Sequence, residues 1–388
     1  MPTDQRPTII AGVPSSNMTV YHRTRFKAGD PAAIITLADN ASTLIIRDIE
    51  MDRARAKIKV DRVTCPKDWA PSNGEPLSGD RSTATAQAAA ECVVRAGLKE
   101  IWTDRTLPMI FAHHLQQRGV ALRYDPDLGT RQRRQKDAQE VEWLRHAQKT
   151  TEGAIETACR MIAGASAGKG GALMLGSEPL TAERVMSEID IWLLKRGYAD
   201  SDSIVAGGTV AGDCHERGHG QLHTETSIIV DVFPRSKETL YVGDCTRMVV
   251  HGPEANIPDP IRKMHAAVKE AKDAAIASMR AATTGDAVHR VVIAVMNKHG
   301  YPMGLPAPTD PPTRIAMVHG TGHGLGLELK EPPLLDLNGP ELLEGDAITV
   351  EPGLYAPAVG GMRLEDMVIV RKDGVDNLNT LHEGLTWA

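Results

Sequence analysis

Carboxylates stand at the ends of short apolar, β-like runs throughout the second half of this chain, where a packed sheet would take them out of water. Four segments carry them and two accompanying histidines. They are Ile229-Val230-Asp231; Val242-Gly243-Asp244-Cys245-Thr246-Arg247; His319-Gly320-Thr321-Gly322-His323-Gly324; and Thr349-Val350-Glu351-Pro352-Gly353 with Arg363-Leu364-Glu365-Asp366. An ionised carboxylate is costly to bury unless it is paired or bound to a metal, so the fold must bring countercharge to Asp231, Asp244, Glu351 and Glu365. Two divalent cations would supply it, since their positive charges balance four carboxylates, and one neutral imidazole with a bridging hydroxide completes the shells. Oxygen donors with one histidine suit Mn(II), Fe(II), Co(II) or Zn(II), and the lack of cysteine donors speaks against a structural zinc. Two such ions, about 3.5 to 4 Å apart, can activate a shared water and stabilise the oxyanion of a tetrahedral intermediate, the chemistry of amide hydrolysis.

The chain has 388 residues, and at about 150 residues per domain it should fold as two domains or three. Its 41% hydrophobic and 24% charged residues fit a folded globular protein and exclude a disordered or fibrous one. A net charge of -6, with no basic run longer than Arg131-Gln132-Arg133-Arg134, disfavours nucleic-acid binding. No apolar run approaches the ~18 residues of a membrane-spanning helix, so no membrane partner is expected. The start, Met1-Pro2-Thr3-Asp4, lacks the basic and apolar regions of a secretion signal, which points to the cytoplasm. Five scattered cysteines without a Cys-x-x-Cys pair read as reduced structural thiols, and the sequons at Asn17 and Asn40 as chance matches.

Short apolar runs over residues 33–37 and 44–46, with a helix over 83–96, read as a small mixed α/β unit. The polar, basic stretch 125–136 has no apolar periodicity and sets the boundary between a domain over 1–135 and a second over 136–388. Asp137 and Glu140 then make a capping-box start for a long amphipathic helix toward Ile162. Further helices are expected over 181–195, from a cap at Asp259-Pro260, and over 286–299. Strands are expected over 227–232 and 239–250, paired as a hairpin, and over 347–350 and 365–370. The glycine-rich residues 164–171 miss a phosphate loop by one residue and have Gly170 where serine or threonine is needed, so they read as a flexible surface loop. Glycines around His319 and His323 argue against a helical zinc motif, and Leu325 and Leu327 break a dinucleotide fingerprint.

In order, the motifs Asp, Asp-x-Thr-Arg, Gly-His-Gly-x-Gly, Glu-Pro-Gly and Glu-Asp resemble the pita-bread metallopeptidases that include methionine aminopeptidase, aminopeptidase P and prolidase. The likeness runs over roughly residues 140–385. Pro14-Ser15-Ser16-Asn17, Asp30-Pro31 and Arg134-x-Lys136-x-x-x-Glu140 are also similar to the N-terminal parts of aminopeptidase P, prolidase and creatinase. The resemblance implies an α+β protein, with a C-terminal pita-bread (creatinase/aminopeptidase) catalytic domain preceded by a smaller α/β creatinase-type domain. It implies that Asp231 chelates one metal, that Asp244 and Glu365 bridge both, and that His323 and Glu351 complete the other. His215 and His319 take catalytic and substrate-binding roles by the same likeness, and Arg363 orients Glu365 or the substrate. The implied activity is hydrolysis of the Xaa-Pro bond of dipeptides or short peptides by a homodimer holding two divalent ions per chain, manganese first, with cobalt, zinc or iron as alternatives.

Two departures from the family pattern stand out. Asp231 and Asp244 are 13 residues apart, two more than usual, an even increment that keeps both on one face of a period-2 ribbon. Seven residues after His323, beside Glu331, Lys330 replaces the usual histidine, and it is expected to reach the substrate and act catalytically in that place. Any one of these acids or histidines alone would be an ordinary strand-end or surface residue; their joint occurrence in family order decides otherwise. His219 and His223 read as loop residues. Two other functions stay open: a small-molecule amidohydrolase of ectoine-hydrolase or creatinase-like type, and a catalytically inactive peptide-binding module. The intact ligand set weighs against the module and against creatinase itself, which works without metal.

Overall fold

Short runs rich in isoleucine, alanine and threonine, buried at consecutive positions in Thr8–Gly12 and Ala32–Thr36, build the centre of the sheet of the first unit. In the computed structural model, which describes residues 6–199 and 202–387, the chain forms two units, Met1–Arg133 and Arg134–Ala388. The first contains β1 (Thr8–Gly12), β2 (Ala32–Thr36), β3 (Ser42–Ile45), β4 (Arg62–Thr64), β5 (Glu100–Thr103) and β6 (Ala121–Tyr124). They form one mixed sheet in the order β4-β3-β2-β1-β5-β6. Helix α1 (Arg81–Arg95) packs a row of small residues, Ala86, Ala89 and Ala90, against Ile9, Ile35, Ile45 and Ile101. It starts two residues before the predicted position because the Asp80 carboxylate accepts the Thr83 N–H as an N-cap.

The second unit begins with α2 (Ala138–Ala163), whose capping box is complete: Asp137 accepts from the Glu140 N–H and Glu140 from the Asp137 N–H. With α3 (Ala182–Leu194), it packs on an antiparallel sheet of β7 (Ile204–Gly207), β8 (Ile228–Val232) and β9 (Cys245–Val249). A second core holds α4 (Asp259–Ser278) and α5 (Gly285–Lys298) with the remaining strands. These are β10 (Gly322–Gly324), β11 (Glu331–Leu335), β12 (Ala347–Val350), β13 (Gly353–Ala356), β14 (Gly360–Arg363), β15 (Asp366–Arg371) and β16 (Gly374–Asn377). Their sheet runs β11-β10-β12-β15-β16, and β13 pairs with β14 as a hairpin. Along β8, Ile228, Val230 and Val232 pack toward α2 and α3, whereas Ile229 belongs to the second core, so alternation turns Asp231 to that second side. Burying those three side chains stabilises by roughly 1.5–3 kcal/mol each, which holds the strand in place while Asp231 is desolvated.

Three expectations are modified. The strand expected over 239–250 pairs with β8 only over 245–249. Before that, Leu240 is left-handed at φ 62°, and the N–H groups of Val242 and Gly243 donate to Gly326 O and Pro234 O, outside the ladder. Residues 166–179, which include part of the glycine-rich stretch, are not a free loop: Ser166–Ala167, Leu173–Leu175 and Glu178–Pro179 make a small three-stranded sheet. Asp259 is the first helical residue of α4 rather than its cap, and α5 is capped by Thr284, whose hydroxyl accepts the Ala287 N–H. Among the described residues no helix is long and apolar enough to cross a membrane.

Candidate metal centre

Strand ends from the β7–β8–β9 sheet and from the five-stranded sheet converge on one cavity. Asp231, next to last in β8, lies opposite Thr246 of β9. Asp244 is two residues before Thr246, immediately ahead of β9. Glu365 occupies the link between β14 and β15, and its Oε2 accepts the Thr246 hydroxyl at 2.8 Å. Carboxylate oxygens of Asp231, Asp244 and Glu365 lie within 4.8 Å of one another. His323, the middle residue of β10, brings Nε2 to 3.8 Å from Asp244 Oδ2 and 3.4 Å from Oε1 of Glu351, which directly follows β12. Glycines flank His323 because neighbouring strands leave no room: a Cβ on Gly322 would sit 1.9 Å from Thr349 O, and one on Gly324 2.4 Å from Pro332 O.

Polar groups behind the cluster hold it. The buried Gln148 of α2 accepts the Asp244 N–H at 2.9 Å and donates to Asp244 O at 2.6 Å. The His323 N–H donates to Thr349 Oγ1 at 3.1 Å. Arg363 is the buried cation of the site. Its Nη2 donates to Asp231 Oδ2 at 2.7 Å, Nη1 to Tyr355 and to Cys214 O, and Nε to Thr246 Oγ1. Arg363 therefore contacts Asp231, not Glu365 as one expectation had it, because its fork is filled by Asp231, Tyr355 and the Cys214 carbonyl, and Thr246 takes Glu365 instead.

Burial pushes the pKa of Asp231, Asp244 and Glu365 upward, and that of the last two well upward. Mutual repulsion adds to it: Asp231 and Glu351 act on Asp244, while Asp244, Glu351 and Asp231 act on Glu365. Arg363 pulls the other way, and although burial opposes its charge, Tyr355, Asp231, Glu351 and Glu365 raise its own pKa well above the ordinary value. Yet among the described residues the buried Asp231 Oδ1 has no hydrogen-bond partner. A buried carboxylate oxygen without a partner among the described residues, set in a mutually repelling acidic cluster with one imidazole alongside, fits divalent cations of the borderline type.

A cavity of about 300 Å³ is lined by Asp231, Asp244, His323, Glu351 and Glu365, and also by His215, His319, Lys330 and Arg363. All nine residues singled out in the sequence are thus brought to one space. His319 Nδ1 lies 2.7 Å from Gly320 O and Nε2 3.0 Å from the Tyr355 hydroxyl, while burial lowers its pKa, so it is a neutral imidazole with its proton on Nδ1. Tyr355 accepts from Arg363 and donates to His319, and burial holds its phenol protonated. Sequence reasoning missed Tyr355 and Gln148. Tyr355, four residues after Glu351, resembled an ordinary strand aromatic, and the available signal for Gln148 was a glutamine on the apolar stripe of α2. His219 and His223 are exposed and do not line the cavity.

This combination of an acidic, imidazole-bearing centre at converging strand ends defines a metallohydrolase type of site. Residues 142–372, more than half of the chain, match metallopeptidase family M24, and the chain belongs to that family. It is 30% identical over 196 residues to the uncharacterized peptidase YqhT of Bacillus subtilis, covering 49% of this chain and 50% of the relative. To the Xaa-Pro dipeptidase of Lactobacillus delbrueckii subsp. lactis it is 28% identical over 211 residues, 52% of this chain and 53% of the relative. The chain therefore spans about half the length of the curated relatives it matches. The solved prolidase from Pyrococcus furiosus is similar with a TM-score of 0.75 at 19% identity, over 97% of each chain. That likeness shows the fold, a pita-bread domain preceded by a smaller N-terminal domain.

Proposed function

We propose that this chain is a dinuclear-metal peptidase that hydrolyses the Xaa-Pro bond of dipeptides or short peptides. The observation that carries the reading is the convergence of Asp231, Asp244 and Glu365, with His323 and Glu351 against them, on a cavity whose further polar walls are His215, His319 and Lys330. Residues 1–135 would be the creatinase-type N-terminal domain and 136–388 the catalytic domain. Asp231, Asp244, His323, Glu351 and Glu365 would hold two divalent ions, manganese first, which when bound supply Lewis acidity and a nucleophilic water at neutral pH.

The protein's own residues bind and orient the peptide. The His215 ring has no hydrogen-bond partner among the described residues and is free to donate to the carbonyl oxygen as it gains charge. His319, fixed between Gly320 O and the Tyr355 hydroxyl, forms a neutral wall that orients the substrate. Lys330 lines the cavity without an ion pair among the described residues. Its ammonium suits the carboxylate of a free C-terminal proline, which favours dipeptides over longer chains. The Lactobacillus relative is named an Xaa-Pro dipeptidase and the Pyrococcus structure a prolidase, which supports the same substrate class. The family resemblance extends the reading to a homodimer, and the free, scattered cysteines suit a cytoplasmic setting.

The test is product release from Gly-Pro, Ala-Pro, Ala-Pro-Ala and Met-Ala-Ser by metal-free protein supplied in turn with Mn(II), Co(II) and Zn(II). Cleavage before proline, strongest on the dipeptides, is expected. Methionine release without Xaa-Pro activity would overturn the assignment. Inactivity of the wild type on every peptide, with hydrolysis restored by Lys330→His, would favour a peptide-binding module.

A further inference from the structure

Resting on that peptidase reading, we propose that Asp336 is a specificity-determining residue that binds an ammonium group of the substrate, either its α-amine or a basic side chain before the scissile bond. Among the described residues five carboxylates line the cavity, and four of them belong to the candidate metal centre. Asp336 is the fifth. It stands just past β11, whose ladder with β10 sets its place: Gly322 lies opposite Leu335, and the Thr321 N–H donates to Leu335 O at 2.7 Å. Period-two alternation then turns Leu335 into the core and turns Leu334 and Asp336 to the cavity.

The carboxylate is pinned on one side and open on the other. Oδ1 accepts the Leu337 N–H at 2.7 Å and lies 3.6 Å from His289 Nε2. Oδ2 has no donor among the described residues. His289 is buried, its Nδ1 bonded to the Thr321 hydroxyl at 2.8 Å, and burial lowers its pKa, so it steadies Asp336 without cancelling its charge. Room for the carboxylate comes from Gly320, since a Cβ there would lie 3.0 Å from Oδ2 and 3.1 Å from Cγ. A half-buried carboxylate, oriented by the protein and lacking a cation of its own, matches an ammonium donor on the ligand. Lys330, immediately before the same strand, makes no ion pair with it, so β11 carries opposite charges at its two ends. A zwitterionic peptide satisfies both.

The experiment measures kcat/KM of metal-loaded wild type, Asp336→Asn and Asp336→Glu on Ala-Pro, Lys-Pro, Glu-Pro and N-propionyl-proline, which lacks the amine. If Asp336 holds the α-amine, Asp336→Asn loses tenfold or more on Ala-Pro and Lys-Pro alike, mainly in KM, with no change on N-propionyl-proline. If it holds a basic side chain, Ala-Pro is unaffected, Lys-Pro falls to the Ala-Pro level and Glu-Pro improves. Asp336→Glu should retain most of the wild-type preference in either case. Ratios between substrates are read on one preparation, so partial misfolding of a variant cancels. An active wild type whose ratios are the same in Asp336→Asn overturns this inference alone, whereas a wild type inactive on every peptide overturns it together with the peptidase reading.

Discussion

Thr246→Val removes one hydroxyl from the middle of the candidate metal centre while keeping the shape and strand preference of the side chain. Thr246 is fully buried on β9, where its Oγ1 donates to Glu365 at 2.8 Å and accepts from Arg363 Nε at 3.2 Å. Two losses follow, and they can be separated. A hydrogen bond to a charged group contributes about 1.5–3 kcal/mol. Groups that orient a ligating carboxylate typically weigh 10–100-fold in metal affinity, or about 1.4–2.8 kcal/mol, and the two ranges agree. Thr246→Val should therefore bind Mn(II) roughly 10–100-fold more weakly. The second loss is Arg363 Nε, left buried without that acceptor at a cost of about 1–3 kcal/mol, or roughly 2–12 °C in melting temperature for a domain of this size. It should be present with and without metal. The loss at Glu365 grows on loading, because without metal burial and the neighbouring acids hold Glu365 toward its protonated form. Calorimetric titration of metal-free wild type, Thr246→Val and Thr246→Ser with Mn(II), with melting curves of both states, measures both effects. Thr246→Ser should bind metal as wild type does. Unchanged Mn(II) affinity and unchanged kcat/KM in Thr246→Val would refute the claim that this hydroxyl orients Glu365, and an equal loss in Thr246→Ser would trace the effect to packing.

Lys330→Met should lower kcat/KM on Ala-Pro at least tenfold, about 1.4 kcal/mol of transition-state binding, without releasing metal, and Lys330→His should retain activity; unchanged kinetics in both would make Lys330 a bystander. His323→Ala and Asp244→Asn should remain folded and lose nearly all turnover, and Asp244→Asn should also raise the melting temperature of metal-free protein by removing a repelling charge. Full activity in either variant would refute its assignment. Metal loading with Mn(II) or Co(II) should approach two equivalents. Asp231, Asp244 and Glu365 have folded-state pKa values raised above the roughly 4 of an unfolded carboxylate, so in metal-free protein their contribution to stability is fully present below that pH and is lost as pH rises through the raised values, opposite in sign to that of Asp366 and Glu383, whose pKa values are lowered. Two equivalents of metal should remove this contribution, so the gap in melting temperature between metal-loaded and metal-free protein should widen as pH rises from about 4, and a gap that stays constant or narrows would contradict the sign.

Local chemistry made much of this protein legible in its sequence. Asp137 and Glu140 mark the start of α2 because a capping box needs only residues three apart. The acids at strand ends and the glycine-flanked His323 are equally local signals, since each reports a carboxylate or imidazole that must be desolvated with a partner. The even increment in the separation of Asp231 and Asp244 suggested one face of a period-two ribbon, but the ladder covers only 245–249, so Asp244 joins the cluster from just outside it and alternation alone does not place it there. What the sequence could not decide is which partner each group takes across the fold. Gln148 braces Asp244 from 96 residues away, Thr246 holds Glu365 from 119, and Arg363 turns to Asp231 from 132. The same holds for the separate placing of Asp336 and Lys330 at the two ends of β11, outside the acidic cluster. Propensity, capping and alternation act over a few residues and say nothing about which distant side chain fills a given hydrogen-bond position. Only the packing of α2, the two sheets and the β13–β14 hairpin makes that choice, because a buried donor or acceptor is satisfied by whatever group the core brings within 3 Å or so.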